Sequence, residues 1–112
     1  MRPNFTRADK RWMSAYRREL GKQFPGMVVQ VLVYGSKARG EAGPDSDLDV
    51  LLVVHDKAAR RKRDMRGVGY LLDPYGEVIP SIMAYTESEW DARRKSRSPF
   101  RQNVERDAVR VL

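Results

Sequence analysis

Val33-Tyr34-Gly35-Ser36-Lys37-Ala38-Arg39-Gly40-Glu41-Ala42-Gly43-Pro44-Asp45-Ser46-Asp47-Leu48-Asp49-Val50-Leu51-Leu52-Val53-Val54 begins at the end of one apolar run and finishes inside another. Between them lie a Gly-Ser turn, a short polar segment and two aspartates one residue apart. Side chains of an extended strand alternate faces, so Asp47 and Asp49 share a side and Leu48 takes the other. Two carboxylates on one face repel each other unless a cation lies between them. Hard oxygen ligands suit magnesium, which takes one or two protein carboxylates together with substrate phosphates.

The Gly-Ser turn supplies the phosphate side. Gly35 lets the backbone approach a ligand closely or adopt positive φ. Ser36 stands where a helix can start, and the first amides of a helix favour an anion. A phosphate cradle followed by a metal-binding carboxylate pair is what metal-assisted nucleotidyl transfer requires. A Gly-Ser turn alone is usually only a turn, and Asp-Ser-Asp alone is usually a solvated loop or cap. Together, between two apolar runs, they favour chemistry.

Gly35-Ser36, ten residues, then Asp47-Leu48-Asp49 resembles the signature of the DNA polymerase β-like nucleotidyltransferase superfamily. The fuller string Gly35-Ser36-Lys37-Ala38-Arg39-Gly40 with Asp45-Ser46-Asp47-Leu48-Asp49 is similar to its minimal branch, the MNT domains, which often serve as antitoxins to HEPN-domain toxins. The closing segment from Ser98 to Val104 resembles the end of such domains. The resemblance implies a mixed sheet, with the active site where the Gly-Ser turn meets the aspartate strand. It further implies attack of a hydroxyl on the α-phosphorus of ATP, the acceptor being a tyrosine of a HEPN-type partner. Asp47 and Asp49 would hold one or two magnesium ions, and Gly35 and Ser36 the β and γ phosphates. Arg39 either touches phosphate or forms a structural ion pair. Members usually bring a third carboxylate from the next strand. Counting back from a helix cap at Thr86, that position falls at Ser81, and the nearest strand acid is Glu77, about 13 Å away in an extended chain.

The rest of the chain reads as α/β, roughly αβαβαβα, a single domain over residues 1–112. Trp12, Tyr16, Leu20 and Phe24 recur every four residues and predict a helix over 8–24, ended by Pro25-Gly26. Met27–Tyr34 is Val-rich and reads as a strand, followed by a short helix over 36–41 and a turn at Ala42-Gly43-Pro44. Leu48–Val54 reads as a central strand. Asp56 is placed to cap a basic helix reaching Leu72, with Met65, Val68 and Leu72 inward. Its cations, Lys57 to Arg66, read first as a solvated face and second as a phosphate contact. Glu77–Tyr85 reads as a third strand, at an edge or bulged because of Pro80. Thr86-Glu87-Ser88-Glu89 fits a capping box before a helix to about Arg97, and Phe100, Val104, Ala108 and Val111 predict a further helical turn or two.

The chain has 112 residues, no cysteine, and a net charge of +7. The absence of cysteine excludes a disulfide framework and a thiolate metal site. No apolar run is long enough to span a membrane, and the N-terminal residues lack the core of a signal peptide, so the expectation is a cytoplasmic protein. The basic balance favours acidic partners. Three functions follow: an adenylylating enzyme; a catalytically weak antitoxin-like subunit that neutralises its partner by contact; and, less favoured, a nucleic-acid-binding domain. An oligomer or complex is expected, with Trp90, Phe100 and Val104 either presenting apolar surface to a partner or closing the chain's own core.

Overall fold

The computed structural model describes residues 2–43 and 45–112. Pro44, expected in the turn after the short helix, lies outside the described residues, as does Met1.

Thr6 opens helix α1, Arg7–Gln23, through a capping box: its hydroxyl accepts from the Asp9 amide, and the Asp9 carboxylate accepts from the Thr6 amide. The four-residue stripe faces inward, with Trp12, Tyr16, Leu20 and Phe24 all buried. The polar tips of its aromatics find partners on a second helix, α3, Lys62–Tyr70. Trp12 Nε1 donates to the Gly69 carbonyl at 2.9 Å and the Tyr16 hydroxyl to the Met65 carbonyl at 2.8 Å. Gly69 permits this approach, because a Cβ there would meet Tyr16 Cε1 at 3.0 Å and Trp12 Cζ2 at 3.2 Å, besides Ile82 Cδ1 at 2.4 Å.

Four strands form one mixed sheet in the order β3-β2-β1-β4. β1 is Val28–Tyr34, β2 is Leu48–Val54, β3 is Pro80–Thr86 and β4 is Val109–Arg110. β1 runs antiparallel to β2 and β4, and β2 runs parallel to β3. The alternation of β2 divides the core. Leu48, Val50, Leu52 and Val54 pack with α1 and α3, while Leu51 and Val53 pack on the other face with Tyr85, Trp90 and Val104. Those last residues belong to helices α4, Glu87–Lys95, and α5, Pro99–Asp107, apart from Tyr85 of β3. Trp90 and Val104 are buried and Phe100 half-buried, its ring 5.6 Å from Tyr34, so the three close the chain's own core.

The α/β architecture and the mixed sheet are as expected, and several boundaries are corrected. The short helix α2 covers only Ser36–Arg39, because Gly40 turns into the left-handed region. The basic helix is split into a 3-10 segment, Asp56–Arg61, and α3, which stops at Tyr70. Asp56 does not cap it. Its carboxylate instead accepts from the Ser88 amide at 3.0 Å and from the Ser88 hydroxyl, tying this segment to α4. The third strand starts at Pro80 rather than Glu77. Asp73 accepts from the amides of Tyr75 and Val78, and this holds the preceding residues in a loop. Pro80 is thus the first residue of an edge strand, where its missing donor costs nothing. Thr86 and Glu89 make the expected capping box, and α4 ends at Lys95, two residues early. The last stretch is longer and more varied than expected. α5 has nine residues and gives way to β4, so Val111 lies beyond the helix.

The outer edge of β3 is covered by side chains. The Ile82 amide donates to the Tyr70 hydroxyl at 3.0 Å, that hydroxyl reaches back toward the Ile82 carbonyl at 3.5 Å, and the Thr86 amide donates to Glu89.

Candidate active site

Tyr34 ends β1 and Gly35 turns the chain with φ of +80°. A side chain is strained there on two counts. The backbone is in the glycine region, and a Cβ would lie 2.2 Å from Asp49 Oδ2. The Asp49 carboxylate therefore occupies the space that a side chain at position 35 would fill. α2 starts at once, its first bond running from the Arg39 amide to the Gly35 carbonyl at 3.0 Å. The amides ahead of that bond have no partner within the helix and are the anion-favouring end of this turn.

Asp49 sits at the start of β2, opposite Tyr34 on β1 and opposite Ser81 on β3. It is in phase with Leu51 and Val53, hence on the α4/α5 face, and is half-buried. Burial, then the charge of Asp47, raises its pKa above the usual carboxylate value, and only Arg39 opposes the shift. The larger cause is removal of the carboxylate from water, and the neighbouring negative charge adds to it. Tyr34 feels the same environment. Burial, then the Asp49 charge, pushes its phenol up to about 12, and its hydroxyl lies 3.7 Å from Met83 Sδ.

Asp47 and Asp49 are the carboxylates that would hold a divalent cation, with phosphate oxygens completing its shell. No group of three or more His, Cys, Asp or Glu able to hold a metal is present among the described residues. Ser81 stands beside Asp49 with a hydroxyl and no charge. Glu77 is elsewhere, in the loop before β3, where its carboxylate meets Arg11 at 3.2 Å. Of the sequence-derived residues, Gly35 and Ser81 adjoin Asp49, Ser36 follows in the turn, Asp47 and Arg39 act on Asp49 through their charges, and Glu77 is elsewhere.

Arg39 is engaged by acids. It donates to Glu41 and to Asp107, both at 2.9 Å, and those two hydrogen bonds hold its guanidinium more firmly protonated. Asp107 is held below the usual carboxylate range by Arg106 and then by Arg39. His55 lies away from the site and pairs with Glu87 at 2.8 Å.

Two contributors escaped the sequence reading. Lys37 is buried, and its ammonium reaches both Asp9 oxygens at 3.0 and 2.8 Å, locking α2 to the first turn of α1. The Thr6-x-x-Asp9 spacing was a visible capping signal, but nothing local pairs Asp9 with Lys37. Asp107 lies 68 residues from Arg39, and no periodicity links them.

The model of the nucleotidyltransferase domain family matches residues 13–109, so the chain belongs to that family. Its members generally use divalent metals and nucleoside triphosphates, and nucleotidyl transfer is its general activity. Among solved structures, the chain is similar to that of a "putative nucleotidyltransferase" from Sulfolobus solfataricus, with 22% identity and a TM-score of 0.54. The match covers 89% of this chain and 76% of that one, and it supports the fold. No curated protein matches the sequence. No described helix is long and apolar enough to cross a membrane.

Proposed function

We propose that this chain is a minimal nucleotidyltransferase of the MNT type, which moves AMP from ATP to a tyrosine hydroxyl of a HEPN-type partner, as an antitoxin does to its toxin. The observation that carries the reading is the Asp49 carboxylate packed against Gly35 of the Gly-Ser turn, with the charge of Asp47 acting on it. In the reaction the acceptor oxygen bonds to the α-phosphorus. The bond to the bridging oxygen breaks, and pyrophosphate leaves with its electron pair. Asp47 and Asp49 would hold magnesium, which supplies charge neutralisation at the phosphates. The turn amides orient the β and γ phosphates. Among the described residues no third carboxylate joins the pair, so the acceptor's proton is lost to solvent.

That last feature favours a second reading. With Ser81 beside Asp49, the chain binds ATP but transfers slowly, and it restrains its partner by contact. ATP labelled on the α-phosphate, supplied to the chain co-expressed with the product of its neighbouring gene, separates the two. Label in the partner's tyrosine supports transfer. A stable unlabelled complex supports restraint by contact, and neither label nor complex overturns both.

A further inference from the structure

The net charge of +7 is not spread over the molecule. α1 and the segment from the 3-10 turn through α3, residues 7–23 and 56–70, carry twelve Lys and Arg against four Asp and Glu, a net of +8. The remainder is therefore close to neutral, at −1. Both segments cover the sheet face opposite Asp49.

The two basic segments pack side by side. Trp12 and Tyr16 bond to α3, and Arg61 stacks over Phe24 at 4.9 Å. The four acids of this layer are engaged: Asp9 with Lys37, Asp64 with Arg61, Asp56 with Ser88, and Glu19 with Gln23. Arg17, Arg18, Lys22, Lys57, Arg60 and Arg63 are exposed and have no acidic partner among the described residues.

Two features choose the ligand. Eight of the twelve cations are arginine, whose planar fork matches phosphate. The exposed large apolar residues Tyr70, Leu71, Tyr75, Ile79 and Met83 all lie at or after the end of α3, so the basic rows carry no apolar anchor for a bilayer. Trp12, Tyr16 and Phe24 are buried, and the one half-exposed ring, Tyr70 at the end of α3, is tied by its hydroxyl to Ile82 at the sheet edge. At 1.5 Å per residue, α1 is about 25 Å long and can run beside about seven phosphates of one strand.

We propose that this layer is a sequence-independent nucleic-acid-binding surface that grips phosphates, on the side of the sheet away from the nucleotide site. It does not rest on the transferase reading. The test is fluorescence anisotropy with a labelled single-stranded RNA of mixed sequence, across a salt series. Affinity should fall linearly on a log–log plot. Arg18→Ala/Arg60→Ala should weaken binding about tenfold and reduce the slope by about 1.4, at about 0.7 per lost phosphate contact. The charge-matched Arg94→Ala/Lys95→Ala on α4 should change it less than about twofold. Saturating ATP with magnesium should leave RNA bound. Equal losses from the two pairs, displacement of RNA by ATP, or tighter binding to phosphatidylserine vesicles than to RNA at the same salt overturns the proposal. Failure of ATP binding with RNA binding intact strikes the transferase reading alone.

Discussion

Asp49 and Ser81 are direct neighbours across the parallel β2–β3 pairing, on the same face of the sheet. A carboxylate placed at position 81 would therefore project beside Asp49, which Glu77, held by Arg11, does not. Ser81→Asp is expected to tighten divalent-metal binding and to raise AMP transfer by about tenfold or more, since a positioned base contributes about 100-fold or more. Glu77→Gln should leave both unchanged. Calorimetry with manganese, beside a labelled-AMP assay, reads the two effects separately. A Ser81→Asp variant that binds metal no better than wild type would show that the pairing does not direct this side chain at the site.

Gly35→Ala should abolish ATP binding and cost on the order of 1–3 kcal/mol of stability, as strained backbone typically does. The added methyl competes for the volume of the Asp49 carboxylate. Ser36→Ala, which adds nothing, is the comparison. Calorimetric titration of ATP with magnesium together with urea unfolding decides the matter. Wild-type behaviour of Gly35→Ala in both would refute the packing argument.

The raised pKa of Asp49 predicts a pH-dependent stability. Between the ordinary value of 3.8 and the raised value, the folded chain holds more protons than the unfolded one. Stability contributed by this group is therefore present below the window and lost as pH rises through it. Asp49→Asn removes that loss and should melt at a higher temperature than wild type at neutral pH. Metal affinity should decline as pH falls into the same window. Parallel Tm-versus-pH curves for the two proteins would contradict the assignment.

Lys37→Met leaves the Asp9 carboxylate buried and unpaired, which costs about 3–5 kcal/mol when an ion pair is broken in this way. The double change Asp9→Leu/Lys37→Met removes both charges and should recover much of the loss, although it forfeits the α1 capping box. Urea unfolding of the three proteins measures it. A loss below about 1 kcal/mol in the single variant would mean that the pair is not desolvated as its burial implies.

The central part of this fold is legible in the sequence because its signals are local. β2 is found at Leu48–Val54 as read, since a run of apolar residues needs two covered faces. The Thr86–Glu89 box set the register of β3 from its far end, which is why Ser81 could be placed at all. What was not legible depends on distant partners. Asp56 caps nothing on its own segment because Ser88 takes its carboxylate. The loop before β3 is held by Asp73, and Arg39 is shared with Asp107 across most of the chain. β4 has two residues and acquires its identity only by pairing with β1.

The covered edge of β3 governs how these molecules can meet. Backbone groups of a strand alternate sides, and Ile82 points outward, so Pro80, Ala84 and Thr86 do as well. Pro80 has no amide hydrogen, Ile82 is occupied by Tyr70, and the Thr86 amide is spent on Glu89, which leaves the Ala84 amide as the one donor without such cover. A stranger's strand cannot zip onto this side. Pairing of crowded copies through this edge is thereby disfavoured, and contacts made on this side fall to side chains. The half-exposed ring of Tyr70 serves as insulation for the sheet it touches.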